Sequence, residues 1–142
     1  MNIVKANVLD DLSIQDYMYT FINQMPVIGF GSTRTVYAIC QQNVIKHERP
    51  NNHQNMAEWH LWNAVKDTPL KNWFCPCEGI SAAGRWLWMQ RAEPVSEVPK
   101  RLPTWLLGYD LTASNFGLLR GKPVLVDYGY ENLNLKLLGQ HK

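Results

Sequence analysis

Between residues 27 and 90, short apolar runs alternate with turn-forming residues, and this alternation restricts the fold more than any other feature of the sequence. Residues 27–39 are predicted to form a strand, a tight glycine turn and a second strand. Residues 44–47, 73–80 and 85–90 are predicted as three further strands. Short strands joined by hairpin turns predict a sheet of about five antiparallel strands.

Two segments have helical periodicity instead. Residues 13–22 repeat apolar side chains at helical spacing, and Pro26 ends that helix. Residues 56–65 form the second predicted helix, with Asn51 or Asn52 as its cap. We expect this helix to pack on the sheet, which makes the fold class α+β.

The C-terminal part carries one more hairpin. Residues 116–119 and 123–127 flank the turn sequence Arg120-Gly121-Lys122, a strong hairpin signature. Residues 104–107 are predicted as a single helical turn. For residues 131–138, alternating leucines leave a strand and a short helix equally open.

Composition restricts the function classes. The 142 residues suffice for one domain with a core, and 46% hydrophobic with 18% charged residues exclude a disordered chain. A net charge of +2 makes nucleic acid an unlikely partner. Three cysteines, no signal peptide and no membrane-spanning apolar run predict a protein of a reducing cytoplasm, away from membranes. The Cys75-Pro76-Cys77 sequence lacks the second ligand pair of a zinc site.

Three polar residues near the C-terminal hairpin form a pattern suited to phosphoryl transfer. Asp110 is followed five residues later by Asn115, and Asp127 comes after the hairpin, two residues before Gly129. An aspartate can accept a proton from a hydroxyl, and Asn115 with Asp127 can supply the hard oxygen ligands that Mg²⁺ prefers. The hairpin brings its two ends together. We therefore expect Asn115 and Asp127 to converge on one metal-sized space, with Asp110 nearby.

A glycine-containing turn and a lysine extend this pattern. Gly29 and Gly31 lie between two predicted strands, where backbone N–H groups can approach phosphate oxygens, although an ordinary glycine hairpin would look the same. Lys46 ends an apolar strand and needs an anion if it faces the interior. Glu58 lies on an apolar helix face and is its candidate partner. Alternatively, that helix is rotated and Glu58 is merely solvated.

The order of these elements resembles the protein-kinase-like fold over roughly residues 27–129. Gly29, Gly31 and Val36 are similar to its phosphate-binding loop, Lys46 to its strand-borne lysine and Glu58 to its helix glutamate. The resemblance implies an adenine site along the strand that leads into the hinge, at Met89, Gln90 and Ala92. It further implies Asp110 as the catalytic base, and Asn115 and Asp127 as magnesium ligands.

The resemblance implies one kinase-like unit over residues 1–142. Residues 1–25 would be an N-terminal helical segment, 26–91 the nucleotide-binding lobe, 92–103 a linker and 104–142 a reduced catalytic part. The large helical lobe is mostly missing.

Several departures from the family pattern are visible. Arg34 stands at the third glycine of the loop, Gly108-Tyr109 replaces the His-Arg pair, and Thr112 replaces a lysine. The hinge is close to the catalytic segment, and little chain follows Gly129, so no activation segment or substrate platform is expected.

Three functional hypotheses follow. The first is a miniature kinase-like phosphotransferase that binds ATP and Mg²⁺ and transfers the γ-phosphate to a protein hydroxyl or to itself. The second is a pseudokinase-type module that regulates a protein partner without catalysis. An enzyme completed by a homodimer is a variant of the first. Compactness favours a phage protein acting in the cytoplasm of a bacterial host. The third hypothesis is a small α+β domain with chance motifs.

Overall fold

The computed structural model describes residues 8–9, 11–107 and 109–129, and its largest element is a six-stranded sheet. The strand order is β1-β5-β6-β4-β3-β2. The strands are β1 (Val8–Leu9), β2 (Val27–Phe30), β3 (Arg34–Ala38), β4 (Asn43–Glu48), β5 (Cys77–Ser81) and β6 (Trp86–Gln90). Strands β2 to β6 pair with one another in antiparallel fashion, whereas β1 pairs with β5 in parallel. The predicted five-stranded antiparallel sheet is therefore confirmed.

One strand boundary differs from the prediction. Residues 73–80 were expected to be a strand, but β5 begins only at Cys77, and Pro69–Trp73 forms a 3₁₀ turn. Thr68 caps this turn through its hydroxyl, which accepts from the backbone nitrogen of Leu70 at 3.2 Å. The following residues instead contact the C-terminal hairpin: the nitrogen of Cys75 donates to the carbonyl of Leu125 at 2.8 Å.

The two helices, α1 (Asp11–Phe21) and α2 (Gln54–Val65), cover opposite faces of the sheet. Successive strand residues point to opposite faces, and Val44 packs in the core with α2, whereas Ile45 packs in the core with α1. The helix predicted over residues 56–65 is thus confirmed, as is its packing on the sheet.

The capping prediction for α2 is wrong. The residue before the helix is His53, and its side chain makes no capping hydrogen bond. The Glu48 carboxylate, at the end of β4, instead accepts hydrogen bonds from the nitrogens of Gln54 at 2.6 Å and Asn55 at 3.2 Å. A carboxylate at this position also suits the positive end of the helix dipole.

A second, three-stranded sheet has the order β7-β8-β9, with β7 (Glu93–Pro94), β8 (Phe116–Leu119) and β9 (Lys122–Leu125). The predicted C-terminal hairpin is confirmed as β8–β9. The segment 92–103 is more than a linker, because β7 pairs with β8. Thr104–Leu106 forms the predicted helical turn. The choice between a strand and a helix for residues 131–138 stays open, because these residues lie outside the described part of the chain.

Both sheets contribute to one core. Phe116, Leu125 and Tyr128 from the C-terminal part are buried in the same cluster as Leu61 of α2 and Leu87 of β6. This shared core fixes the small sheet against the large one and leaves a cleft between them. Among the described residues, no helix has the length and apolar character needed to cross a membrane.

Candidate functional site

The cleft has a volume of about 610 Å³ and opens between the two sheets. Its walls come from the β2–β3 turn, from β4, from the chain that links the two sheets and from the C-terminal hairpin. The residues predicted for nucleotide binding all line it: Gly29, Gly31, Val36, Lys46, Met89, Gln90 and Ala92. Of the three polar residues near the hairpin, Asp127 lines the cleft together with its neighbour Val126.

The glycine turn forms one wall of the cleft and is held from outside. The nitrogen of Gly31 donates to the carbonyl of Arg34 at 2.9 Å, which closes the turn. The Arg49 guanidinium donates to the carbonyl of Gly31 at 2.8 Å. A methyl group at Gly31 would meet its nearest atom only at 3.9 Å, so space remains beside this residue for a ligand.

Lys46 and Glu58 form the predicted ion pair. Their Nζ and Oε1 atoms lie 2.8 Å apart, and the side chains are 5% and 0% exposed. The alternative, a solvated Glu58, is excluded by this burial. Lys46 also donates to the carbonyl of Val126, and this bond joins the large sheet to the segment before Asp127.

Arg34, which the sequence analysis treated only as a lost glycine, is the second cation of the site. Its guanidinium is 7% exposed and donates to both carboxylate oxygens of Glu58, at 2.7 and 3.0 Å. It also donates to Asn55 Oδ1 at 3.1 Å and to Asp127 Oδ1 at 2.5 Å. The four Nη hydrogens of Arg34 are therefore all engaged.

Glu58 is the centre of this network. Besides the two cations, the backbone nitrogens of Tyr128 and Gly129 donate to its Oε2 atom at 2.7 and 3.1 Å. Burial by itself would raise the pKa of Glu58, but Arg34 and Lys46 outweigh burial and hold the pKa well below its ordinary value. Glu58 is thus ionised at neutral pH and joins α2 to the C-terminal segment.

Asp127 is held differently. Its side chain is 41% exposed and paired with Arg34. Burial and the nearby Glu58 carboxylate raise its pKa, against the lowering effect of Lys46 and Arg34. Its ionised form therefore needs a cation close by, and Arg34 supplies it.

Asn115 and Asp127 are neighbours, but the Asn115 oxygen is bound to a backbone nitrogen. Asn115 Oδ1 accepts from the backbone nitrogen of Thr112 at 2.8 Å, as part of a capping box on the 3₁₀ turn Ala113–Asn115. Its Nδ2 atom faces the carbonyl of Asp127 at 3.5 Å. Since the N–H of Thr112 requires an acceptor, this fixes the orientation of the amide.

These donors do not fit a magnesium ion. The Asn115 oxygen is engaged in the cap, and one Asp127 oxygen is bound by a cation. Magnesium demands near-octahedral oxygen ligands.

Asp110 is exposed and is not among the residues that line the cleft. The chain just beyond it does reach the cleft, through Ala113 and Ser114. The proximity of Asp110 to the site and its role as a base therefore stay predictions.

Part of the cleft lining is apolar. Val36, Val44 and Met89 give it apolar walls. The backbone nitrogens of Gln90 and Arg91 are already bound to the carbonyls of Pro76 and Gln42, at 3.0 and 2.8 Å. These two backbone donors are therefore engaged within the protein, and a ligand in this part of the cleft would rely mainly on apolar contact.

Comparisons with known proteins give one structural similarity. No protein-family model matches the sequence, and no curated protein matches it. Among solved structures, the ternary complex of APH(2")-IIa with streptomycin and ATP matches with a TM-score of 0.44 and 14% sequence identity. The match covers 76% of this chain and 35% of that one, so the chain spans about a third of that protein's length.

Proposed function

We propose that this chain is a kinase-like nucleotide-binding protein that holds ATP in the cleft between its two sheets. The observation that carries the proposal is the buried Lys46–Glu58 ion pair, in which Lys46 lines the same cleft as the glycine turn. Lys46 would contact the phosphates, and Glu58 would orient it. The base would lie between Val36 and Met89, where the cleft walls are apolar.

Nucleotide binding is tested by thermal unfolding with increasing ATP. A ligand that binds only the folded state raises the unfolding temperature according to the ratio of its concentration to Kd. We expect a concentration-dependent rise for the parent and a loss of that rise in Lys46→Met. Lys100→Met, an exposed lysine outside the cleft, is the matched control and should respond like the parent. A parent protein that does not respond to ATP would contradict the proposal.

A second candidate function is transfer of the γ-phosphate to a protein hydroxyl or to the chain itself, with Asp110 as the base. The observation that favours it is the short distance along the chain from Asp110 to Ala113 and Ser114, which line the cleft. Incubation with labelled ATP tests it. We expect label transfer in the parent and none in Asp110→Asn, with ATP binding kept in both. Transfer that persists in Asp110→Asn excludes Asp110 as the base.

The non-catalytic alternative is a pseudokinase-type module that binds a protein partner. It is favoured by the exposed position of Asp110 and by the apolar side chains along the edge strand β2, at Val27, Ile28 and Phe30, of which Phe30 is 78% exposed. ATP binding without any transfer supports this alternative. Light scattering of the parent and of Phe30→Ser would show whether the same edge forms a homodimer.

A further inference from the structure

We propose that Arg34 takes the place of a divalent cation at Asp127, so that the cleft binds nucleoside polyphosphate without metal. This inference rests on the proposed nucleotide site and goes further, because the family resemblance predicts a magnesium-dependent site. Arg34 occupies a position where the resembling loops have glycine, and a glycine there could make none of the contacts described below.

The first support is geometric. The guanidinium of Arg34 bridges the two acidic side chains of the site, with Glu58 bound through two nitrogens and Asp127 through one. A metal at Asp127 would have to share this carboxylate with the guanidinium, whose nitrogen lies 2.5 Å from Asp127 Oδ1. Two cations held on one carboxylate repel one another in a partly buried site.

The second support is the charge balance. Arg34 and Lys46 supply two positive charges, and Glu58 and Asp127 supply two negative charges, so the four groups together are neutral. Without Arg34, the same site would carry a net charge of −1 facing the phosphates. A metal would then be needed to offset this charge, and Arg34 removes that need.

The third support is that Arg34 is fixed rather than free to swing away. Asn55 holds one of its nitrogens at 3.1 Å, and Asn55 is itself anchored by donating to the carbonyls of Lys46 and Gly84, at 3.0 and 2.9 Å. The guanidinium is thus positioned by β4, α2 and the C-terminal segment together. Such a preorganised cation does not have to be recruited from solution.

The primary experiment uses the unmodified protein. Isothermal titration calorimetry with ATP is run in EDTA and again in excess MgCl₂. We expect Kd values that agree within about twofold. If the Kd in EDTA is higher than the Kd in MgCl₂ by about tenfold or more, the proposal is overturned, because the metal would then contribute to binding.

A nucleotide-free measurement tests the metal position directly. Mn²⁺ is titrated into the protein and followed by electron paramagnetic resonance. The parent should bind no Mn²⁺, whereas Arg34→Gln, which frees Asp127, should gain one site. Arg34→Gln/Asp127→Asn should lose that site again. Binding of Mn²⁺ by the parent that Asp127→Asn removes would overturn the proposal.

ATP binding by the variants also separates metal-free from metal-dependent nucleotide binding. Arg34→Gln should bind ATP about tenfold or more weakly in EDTA and regain affinity with magnesium, while Arg101→Gln, an exposed arginine, should match the parent. Asp127→Asn should bind ATP more tightly in EDTA, since one negative charge is gone. If the parent instead binds ATP more tightly with MgCl₂ than in EDTA, and Asp127→Asn loses that gain, Asp127 is a metal ligand and the proposal is overturned.

The failure of the proposed function is distinguishable from the failure of this inference. If the parent binds no ATP in either buffer, the nucleotide site itself is disproved, and metal-free nucleotide binding with it. The Mn²⁺ titration needs no nucleotide and still decides whether Arg34 excludes a divalent cation from Asp127. Should Arg34→Gln fail to fold, as its circular dichroism would show, the parent and Asp127→Asn alone decide the outcome.

Discussion

The Oε2 atom of Glu58 accepts a hydrogen bond of 2.7 Å from the backbone nitrogen of Tyr128, although 70 residues separate the two in sequence. Tyr128 is fully buried, and its hydroxyl donates to the carbonyl of Cys75 at 2.7 Å. Through these contacts α2, which packs on the large sheet, holds the segment that carries Asp127. The same contacts that dock the second sheet therefore also bring the residues of the site together.

Loss of the Glu58 charge should strongly destabilise the protein. In Glu58→Gln the buried Arg34 and Lys46 lose their shared counter-ion, and breaking a buried ion pair in this way costs about 3–5 kcal/mol. Urea unfolding at neutral pH measures the loss. Glu97→Gln, an exposed glutamate, is the control and should change the free energy of unfolding little. Equal stability of the two variants would contradict the central role of Glu58.

The same carboxylate should make the protein acid-sensitive. Burial opposes ionisation, but Arg34 and Lys46 keep the pKa of Glu58 in the folded state below its ordinary value of 4.5. The stabilisation is therefore complete above about pH 4.5 and is lost as the pH falls below that value, where the unfolded chain takes up the proton first. Urea unfolding across this range should show a shallower pH dependence in Glu58→Gln than in the parent.

His47 should add a separate pH dependence near neutrality. Burial, with Arg85 and Arg49, lowers its pKa from 6.5, and its ring stacks on Trp86 at 3.9 Å. The unfolded chain binds the proton more readily, so stability should fall as the pH drops below about 6.5. His47→Phe should remove this component from unfolding curves. His60→Gln, on the exposed side of α2, should leave it in place.

Gly129 should not tolerate a side chain. A Cβ atom there would lie 2.7 Å from the carbonyl oxygen of Gln54, closer than real contacts allow. Gly129→Ala should therefore push the C-terminal segment away from α2 and lower stability by about 1–3 kcal/mol. Gly31→Ala has its nearest contact at 3.9 Å and serves as the control. Similar unfolding temperatures for the two variants would show that the segment adjusts freely.

The start of α2 should depend on Glu48 rather than on the asparagines before the helix. Glu48→Ala removes the acceptor for the nitrogens of Gln54 and Asn55, and loss of such a cap costs about 1–2 kcal/mol. Asn52 only donates to the carbonyls of Arg49 and Pro50, so Asn52→Ala should cost less. Thermal unfolding of both variants checks the order. The reverse order would favour the original capping prediction.

The local sequence pattern was enough to predict most of the secondary structure. The strands β2 to β4 and β6, the helix α2 and the hairpin β8–β9 follow from apolar spacing and turn residues, which act over a few neighbouring positions. Residues 73–76 were predicted as strand because they are apolar. The nitrogen of Cys75 instead donates to the carbonyl of Leu125 in the C-terminal hairpin, and spacing along the chain carries no information about so distant a partner.

The same distinction between local sequence pattern and tertiary structure applies to the candidate site. The sequence by itself identified Lys46 and Glu58 as candidate partners, because a charged residue on each of two apolar faces requires a partner of opposite sign, and the burial of both side chains in the structure excluded a solvated Glu58. Only the tertiary structure decided that Arg34 binds both Glu58 and Asp127, and that the Asn115 oxygen caps a turn. A long guanidinium reaches carboxylates on whichever elements the fold brings near it, and in Arg34 these lie 24 and 93 residues away. Sequence spacing could identify the charged groups, but their pairing was set by how the two sheets pack.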